Sequence, residues 1–261
     1  AAFVSQTIRG WHHGRVRAMR SERAREILTR LTPRLLRALA GAGDPDQAFV
    51  RFSSFFAGLS AGVQLLALLD ARPAFLDLLA RILSVAPRLA DDLARRPALM
   101  DALIEPRFAV PLANDPPGAQ RAELVERLSI ATSFEQRLNA ARRFHREEAF
   151  RIDVQVLEGQ ANAAEAGVAH AELAEACVAS MADAALAEVE RTNGAQPGAF
   201  TVLALGKFGG RELAQGSDLD LMLVYDAPAE ASSPGEFYTR VTQRLISALS
   251  APTEEGALYE I

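Results

Sequence analysis

The spacing of apolar residues constrains the fold of this chain most strongly, because that spacing changes sharply near residue 195. Before that point, apolar residues recur on one face of successive predicted helices, as they do from Ile27 to Leu39. Three prolines each precede an apolar run, as is typical of the first turn of a helix: Pro73, Pro87 and Pro97. The pattern predicts a bundle of antiparallel helices.

Beyond Asn193 and Gly194, short β-rich segments replace the helical pattern. Residues 200–205 and 219–225 each have the length and composition of a strand, and residues 235–249 predict a helix. A further strand is predicted to begin at Leu258. The sequence therefore predicts a mainly α helical bundle over residues 1–195, followed by a small α/β unit over residues 196–261 that is truncated at its C-terminus.

The composition excludes several classes of protein. Hydrophobic residues make up 49% of the chain, yet no apolar run approaches the ~20 residues of a membrane span. The net charge of −5 argues against a general nucleic-acid binder. Cys177 is the only cysteine, which excludes an internal disulfide and predicts a cytoplasmic location. The sequence starts with neither Met nor a signal pattern, so we expect it to be a piece of a longer protein.

Three glycines directly follow the first predicted strand: Gly206, Gly209 and Gly210. Glycine adopts backbone conformations with positive φ and lets amide groups approach an anion closely. A run of converging N–H groups would then form a nest for phosphate. Glycine loops are weak evidence when taken alone, because most of them are simple turns.

Two carboxylates follow the glycines. Asp218 and Asp220 are separated by one residue at the start of the second predicted strand, so the period of two places both on one face. Like charges at close distance need a cation, and Mg²⁺ is commonly held by a few carboxylates together with substrate phosphates. An exposed strand edge without a metal is the alternative reading. Ser217 would either donate a hydrogen bond to a phosphate oxygen or cap the turn.

Four neighbouring polar residues have roles that the sequence leaves open. Lys207 and Arg211 would either neutralise phosphate or remain solvated. Glu212 is expected to be a structural ion-pair partner rather than a metal ligand. Arg244 lies on the following predicted helix, where a polar surface position is favoured over a contact with the site.

The segment Gly-Lys-Phe-Gly-Gly-Arg-Glu-Leu at residues 206–213, followed by Ser-Asp-Leu-Asp-Leu at 217–221, resembles the DNA polymerase beta-like nucleotidyltransferases. More narrowly, it resembles the bifunctional glutamine synthetase adenylyltransferase/adenylyl-removing enzymes, where Phe208 is a mild departure from Leu. Stretches at residues 11–15, 61–65 and 242–246 also resemble that family. The resemblance therefore covers most of the chain and identifies the α/β unit as a polymerase beta-like nucleotidyltransferase unit.

The resemblance implies Mg²⁺-dependent transfer of AMP from ATP to a tyrosine hydroxyl of glutamine synthetase. It implies that Asp218 and Asp220 are the catalytic metal ligands. The residues implied to bind ATP are Gly206, Gly209, Gly210 and Ser217. The family also responds to glutamine and to the PII signal protein, which adds PII to the expected partners.

The end of the sequence bears on which half of such an enzyme is present. Residues 258–261 resemble the adenylyltransferase half, because the removing half more often has Arg at the position of Glu260. In the family a third catalytic carboxylate follows this stretch and would lie just beyond Ile261. We therefore expect the chain alone to be nearly inactive as a transferase.

Three alternatives remain at this point. The chain could belong to the adenylyl-removing half, which removes AMP from glutamine synthetase by phosphorolysis. It could be a different nucleotidyltransferase, acting on a small molecule or RNA. It could also be a non-catalytic interaction module whose helices bind glutamine synthetase or a signal protein.

Overall fold

A computed structural model of the chain describes residues 2–13, 16–59, 62–229, 231 and 233–261. The chain divides into two compact units, of which the first ends at Glu105 and the second begins at Pro106. The division predicted at residue 195 marks the change from helices to strands and stays a prediction about domain organisation. Within the described ranges, no helix combines the length and apolar character that crossing a bilayer requires.

The first unit is built from helices. Its helices are α1 (Ala2–His12), α2 (Glu22–Ala40), α3 (Pro45–Gly58), α4 (Gly62–Ala71), α5 (Pro73–Val85), α6 (Pro87–Arg95) and α7 (Leu99–Ala102). Pro73 and Pro87 occupy first turns as predicted, whereas Pro97 lies in a turn before α7. The core is aromatic, with the Trp11 ring 5.1–5.8 Å from the rings of α3, which belong to Phe49, Phe52 and Phe56.

The second unit combines helices with one small sheet. Its elements are α8 (Ala119–Ser129), α9 (Phe134–Leu157), α10 (Ala163–Asn193), β1 (Ala199–Ala204), α11 (Gly206–Gly209), β2 (Leu221–Asp226) and α12 (Pro234–Ser250). Helix α10 begins at a capping box, in which Asn162 and Glu165 each accept a backbone N–H of the first turn. The buried, alanine-rich side of α10 packs against α8, α9 and α12.

Strands β1 and β2 form a two-stranded antiparallel sheet in which Ala204 pairs with Leu221 and Ala199 with Asp226. One face of the sheet packs on the core shared with α9, α10 and α12, through Phe200, Val202, Ala204, Leu221 and Leu223. The opposite face is exposed, through Leu203, Met222 and Val224. A mainly helical chain with a small α/β unit is confirmed.

Two details of the predicted sheet are wrong. Strand β2 begins at Leu221 rather than at residue 219, so Asp218 and Asp220 precede the strand. Residues 258–261 form no strand, although the Leu219 N–H donates to the Glu260 carbonyl at 2.9 Å. Because Leu219 pairs with this segment and not with β1, the ladder of the two-stranded sheet starts only after Asp220.

Candidate functional site: the glycine turn and the carboxylates

The three glycines that follow β1 form one helical turn, α11, rather than an open loop. Gly206 has a φ of +52°, a left-handed conformation that L side chains rarely adopt. A β-carbon at Gly209 would lie 2.5 Å from the Ala204 carbonyl oxygen, so this position also excludes a side chain. The turn therefore requires glycine at two positions for different reasons.

The amide groups of this turn are used differently from the prediction. The Gly209 N–H donates to the Leu205 carbonyl at 2.8 Å, and the Gly210 N–H donates to the Gly206 carbonyl at 3.0 Å. These two amides hold the turn together and do not form an open nest. A phosphate cradle would therefore have to use amides nearer the beginning of α11.

The two aspartates lie in the extended segment that leads into β2. Asp218 and Asp220 are exposed, while Leu219 between them is 2% exposed and packs in the core. This alternation continues into the strand, where Met222 is exposed and Leu221 is partly buried. Both carboxylates therefore lie on the open side of the sheet, away from α10. The period of two predicted that the carboxylates share one side, and both are exposed here, although the residues precede the strand.

Asp220 lies directly against the glycine turn. A β-carbon at Gly206 would collide with the Asp220 carboxylate, and the Leu205 N–H donates to the Asp220 carbonyl at 2.9 Å. The absence of a side chain at Gly206 thus leaves space for this carboxylate. The structure brings one predicted metal ligand into contact with one predicted ATP-binding residue.

The carboxylates and the nearby cavity lie on different sides of the sheet. A cavity of about 570 Å³ is lined by α10, β1 and α11, and it includes Gly209 but neither Asp218 nor Asp220. Among the residues that the structure describes, no group of three or more His, Cys, Asp and Glu side chains is arranged to hold a metal. The two aspartates thus stand as a pair on an exposed surface.

Ser217 caps a turn. Its hydroxyl oxygen accepts the Ala214 N–H at 3.2 Å, and its own N–H donates to the Ala214 carbonyl at 3.0 Å. Of the two roles left open by the sequence, capping is the one that these contacts fit. The capped turn sets the direction in which the chain enters the segment that carries Asp218.

The neighbouring charged residues separate into two groups. Lys207 lies within the turn and Glu212 lies after it, and both are exposed. Arg211 pairs with Glu172 of α10 at 2.6 Å, while Arg244 pairs with Glu188 at 3.4 Å and covers the Phe134 ring at 5.0 Å. Arg211 and Arg244 are therefore both engaged by other helices of the second unit.

A contact between two partly buried side chains, which the sequence did not indicate, lies behind the segment before Ile261. The rings of His145 and Tyr259 are 4.7 Å apart, and burial, with smaller contributions from His170 and Arg146, lowers the pKa of His145 to about 4. Burial also raises the pKa of Tyr259 well above its usual value, with Cys177 contributing less. The ring contact joins residues 114 positions apart, so no local sequence pattern predicts it. It holds in place the segment that accepts the Leu219 N–H.

Comparison with known proteins places this geometry in a family. The family model described as glutamate-ammonia ligase adenylyltransferase matches residues 76–261, which include the glycine turn and both carboxylates. The chain therefore belongs to the glutamate-ammonia ligase adenylyltransferase family.

The similar curated proteins carry one particular name, bifunctional glutamine synthetase adenylyltransferase/adenylyl-removing enzyme. The chain is 49% identical to the one from Caulobacter vibrioides, over 99% of this chain and 26% of that protein. It is 44% identical to the one from Brucella melitensis and 37% identical to the one from Bartonella quintana, over 99% and 100% of this chain and 27% and 28% of those proteins. The chain thus spans about a quarter of the length of the curated relatives it matches.

Proposed function

We propose that this chain forms part of an enzyme that transfers AMP from ATP to a tyrosine hydroxyl of glutamine synthetase in a Mg²⁺-dependent reaction. The observation that carries the proposal is the contact between Asp220 and Gly206 in a chain of this family. It places a carboxylate beside the first residue of the turn, which has no side chain. Glutamine synthetase and ATP are then the substrates, and the PII signal protein is a regulatory partner on the resemblance alone.

The donor set fits magnesium. Asp218 and Asp220 supply exposed carboxylate oxygens on one side of the sheet, and Mg²⁺ favours hard oxygen ligands with one or two carboxylates and substrate phosphates. When bound, the ion would neutralise phosphate charge and stabilise the attacking and leaving oxygens of an in-line displacement. The open surface around the pair leaves room for both a nucleotide and a protein substrate.

The chain's own residues would act by positioning. Asp218 and Asp220 would hold the ion, and the start of α11 would orient the triphosphate so that the tyrosine oxygen approaches the α-phosphorus as pyrophosphate leaves. Positioning and charge stabilisation supply most of the catalysis in reactions of this kind. Activation of the tyrosine hydroxyl would fall to a third carboxylate outside these residues.

The test uses the full-length enzyme that contains these residues. We expect Asp218→Asn together with Asp220→Asn to abolish transfer of radiolabelled AMP to glutamine synthetase while phosphorolytic removal continues, because neutral amides ligate Mg²⁺ poorly. Asp226→Asn is the matched control, since Asp226 is exposed at the far end of β2. Loss of removal with transfer intact would assign the chain to the adenylyl-removing half, and retention of both activities would reject the site.

A further inference from the structure

Arg211 has an unusual backbone conformation at the end of the glycine turn. Its φ is +58°, in the left-handed region, and its N–H donates to the Phe208 carbonyl at 3.1 Å. A residue with a β-carbon is uncommon there and persists only where surrounding contacts hold it. Glycine would adopt this conformation more easily, but the adjacent Gly210 is right-handed and the left-handed residue is Arg211.

Two carboxylates of α10 hold the Arg211 side chain. Its Nη2 lies 2.6 Å from Glu172 Oε1, and its Nη1 lies 3.9 Å from Glu175 Oε2. Glu172 and Glu175 are three positions apart, so they project from the same face of the helix. The guanidinium is thus directed to α10 and not to the open side of the sheet, where Asp218 and Asp220 lie.

A close backbone contact supports the same link between α10 and the turn. A β-carbon at Gly167 would lie 3.3 Å from the Arg211 carbonyl oxygen and 3.4 Å from the Glu212 Cα, tighter than most packing contacts. Phe208, within the turn, is 7% exposed and packs in the shared core. The turn is therefore attached to the body of the unit through its backbone, an apolar side chain and an ion pair.

We infer that Arg211 is a positioning residue: its pairing with Glu172 and Glu175 holds the glycine turn where the nucleotide triphosphate binds, and Arg211 does not itself contact phosphate. This inference rests on the proposed function. The ion pair is half-exposed on both sides, with side-chain exposures of 46% for Arg211 and 39% for Glu172. Exposed ion pairs contribute little to the free energy of unfolding. We therefore expect loss of this ion pair to change the position of the turn rather than the stability of the protein.

The decisive variant is Glu172→Gln in the full-length enzyme. If Arg211 bound phosphate, releasing it from Glu172 would leave kcat/KM for ATP unchanged or raise it. A positioning arginine that loses its partner loosens the turn, so we expect kcat/KM for ATP to fall about tenfold, since a 1 Å misplacement can cost ~100-fold. The melting temperature should change no more than in the matched control Glu190→Gln, another glutamate of α10.

Two further variants complete the test. Arg211→Gly removes the backbone strain together with the ion pair, and its kcat/KM for ATP should fall as in Glu172→Gln. Arg211→Lys keeps one charged contact and should retain an intermediate activity. In all three variants, KM for glutamine synthetase should stay at the wild-type value, because the turn is proposed to contact only the nucleotide.

The outcomes separate this inference from the proposed function. If Glu172→Gln uses ATP at the wild-type level while Asp220→Asn, tested as a separate variant, abolishes transfer, the role of Arg211 would be overturned and the proposed site would stand. Full transfer activity of Asp220→Asn would overturn the proposed function. Loss of activity in Glu172→Gln that is matched by a lower melting temperature would overturn the inference in favour of a structural role.

Discussion

Two glycines of the same turn should respond in opposite ways to alanine. Gly206 has a φ of +52°, whereas Gly210 has a φ of −77° in the right-handed helical region. Alanine at Gly206 would incur the left-handed penalty of about 1–2 kcal/mol and would displace the Asp220 carboxylate. Alanine at Gly210 would meet nothing closer than the Gly206 carbonyl oxygen at 3.4 Å and should stabilise the fold by about 0.4–1 kcal/mol, by restricting the unfolded chain.

The two variants should therefore differ by roughly 2 kcal/mol in their free energy of unfolding. With a urea dependence of about 2 kcal/mol per M, the midpoints of unfolding should lie about 1 M apart. The chain carries its own reporters, because Trp11, its single tryptophan, lies in the first unit and its three tyrosines lie in the second. Near-ultraviolet circular dichroism of the tyrosines would follow the affected unit, and tryptophan fluorescence would provide the internal control.

One result would refute this reasoning directly. If both variants shifted the tyrosine transition by the same amount, the left-handed conformation of Gly206 would have no energetic consequence. A parallel shift of the tryptophan signal would show instead that the two units unfold together, and the comparison would then be made on the single transition.

Three further predictions concern the core behind the site. Leu219→Ala should destabilise the second unit by about 2–5 kcal/mol, measured by urea unfolding, because this side chain is 2% exposed; a smaller loss would show that the site can collapse around the gap. Because the folded pKa of His145 is about 4 and lies below its unfolded value, the unfolded state binds the proton first as the pH falls. Stability should therefore decrease from about pH 6.5 to pH 4, and His145→Phe should flatten this part of the profile relative to wild type. Burial raises the pKa of the Cys177 thiol, so a thiol reagent should label it only in denaturant, and rapid labelling of the native chain would contradict its burial.

The helical part of the fold was the most predictable from sequence. Pro73 and Pro87 begin helices because proline has no N–H to lose in a first turn, and that property is local. The start of β2 was predicted two residues too early, because Leu219 has strand-like composition but pairs with Glu260, some 40 positions later. Composition reports the tendency of a segment to be extended and does not specify its partner.

For the site, sequence indicated that the two carboxylates share one side but did not indicate the structure of the glycine segment. Alternation of Asp218, Leu219 and Asp220 is a local property, and the burial pattern agrees with it. The helical turn at Gly206 and the pairing of Arg211 with α10 depend on contacts across the fold, including a glycine 44 positions before Arg211. The role of the metal and the nucleotide remains a prediction.

The long helix α10 also sets how this protein can tolerate insertions and deletions. Its capping box fixes where the helix starts, and each added residue turns the following part by about 100° relative to the preceding part. After an insertion between Glu172 and Met181, the two residues could no longer both keep their contacts. If Met181 stayed in the core, Glu172 would no longer face Arg211. We therefore expect single-residue insertions there to destabilise the second unit. An insertion in the short connection between α9 and α10, at residues 158–161, would not rotate one part of a helix against another. The start of α10 and the rotation between its residues are therefore fixed by the capping box and by the contacts of Glu172 and Met181.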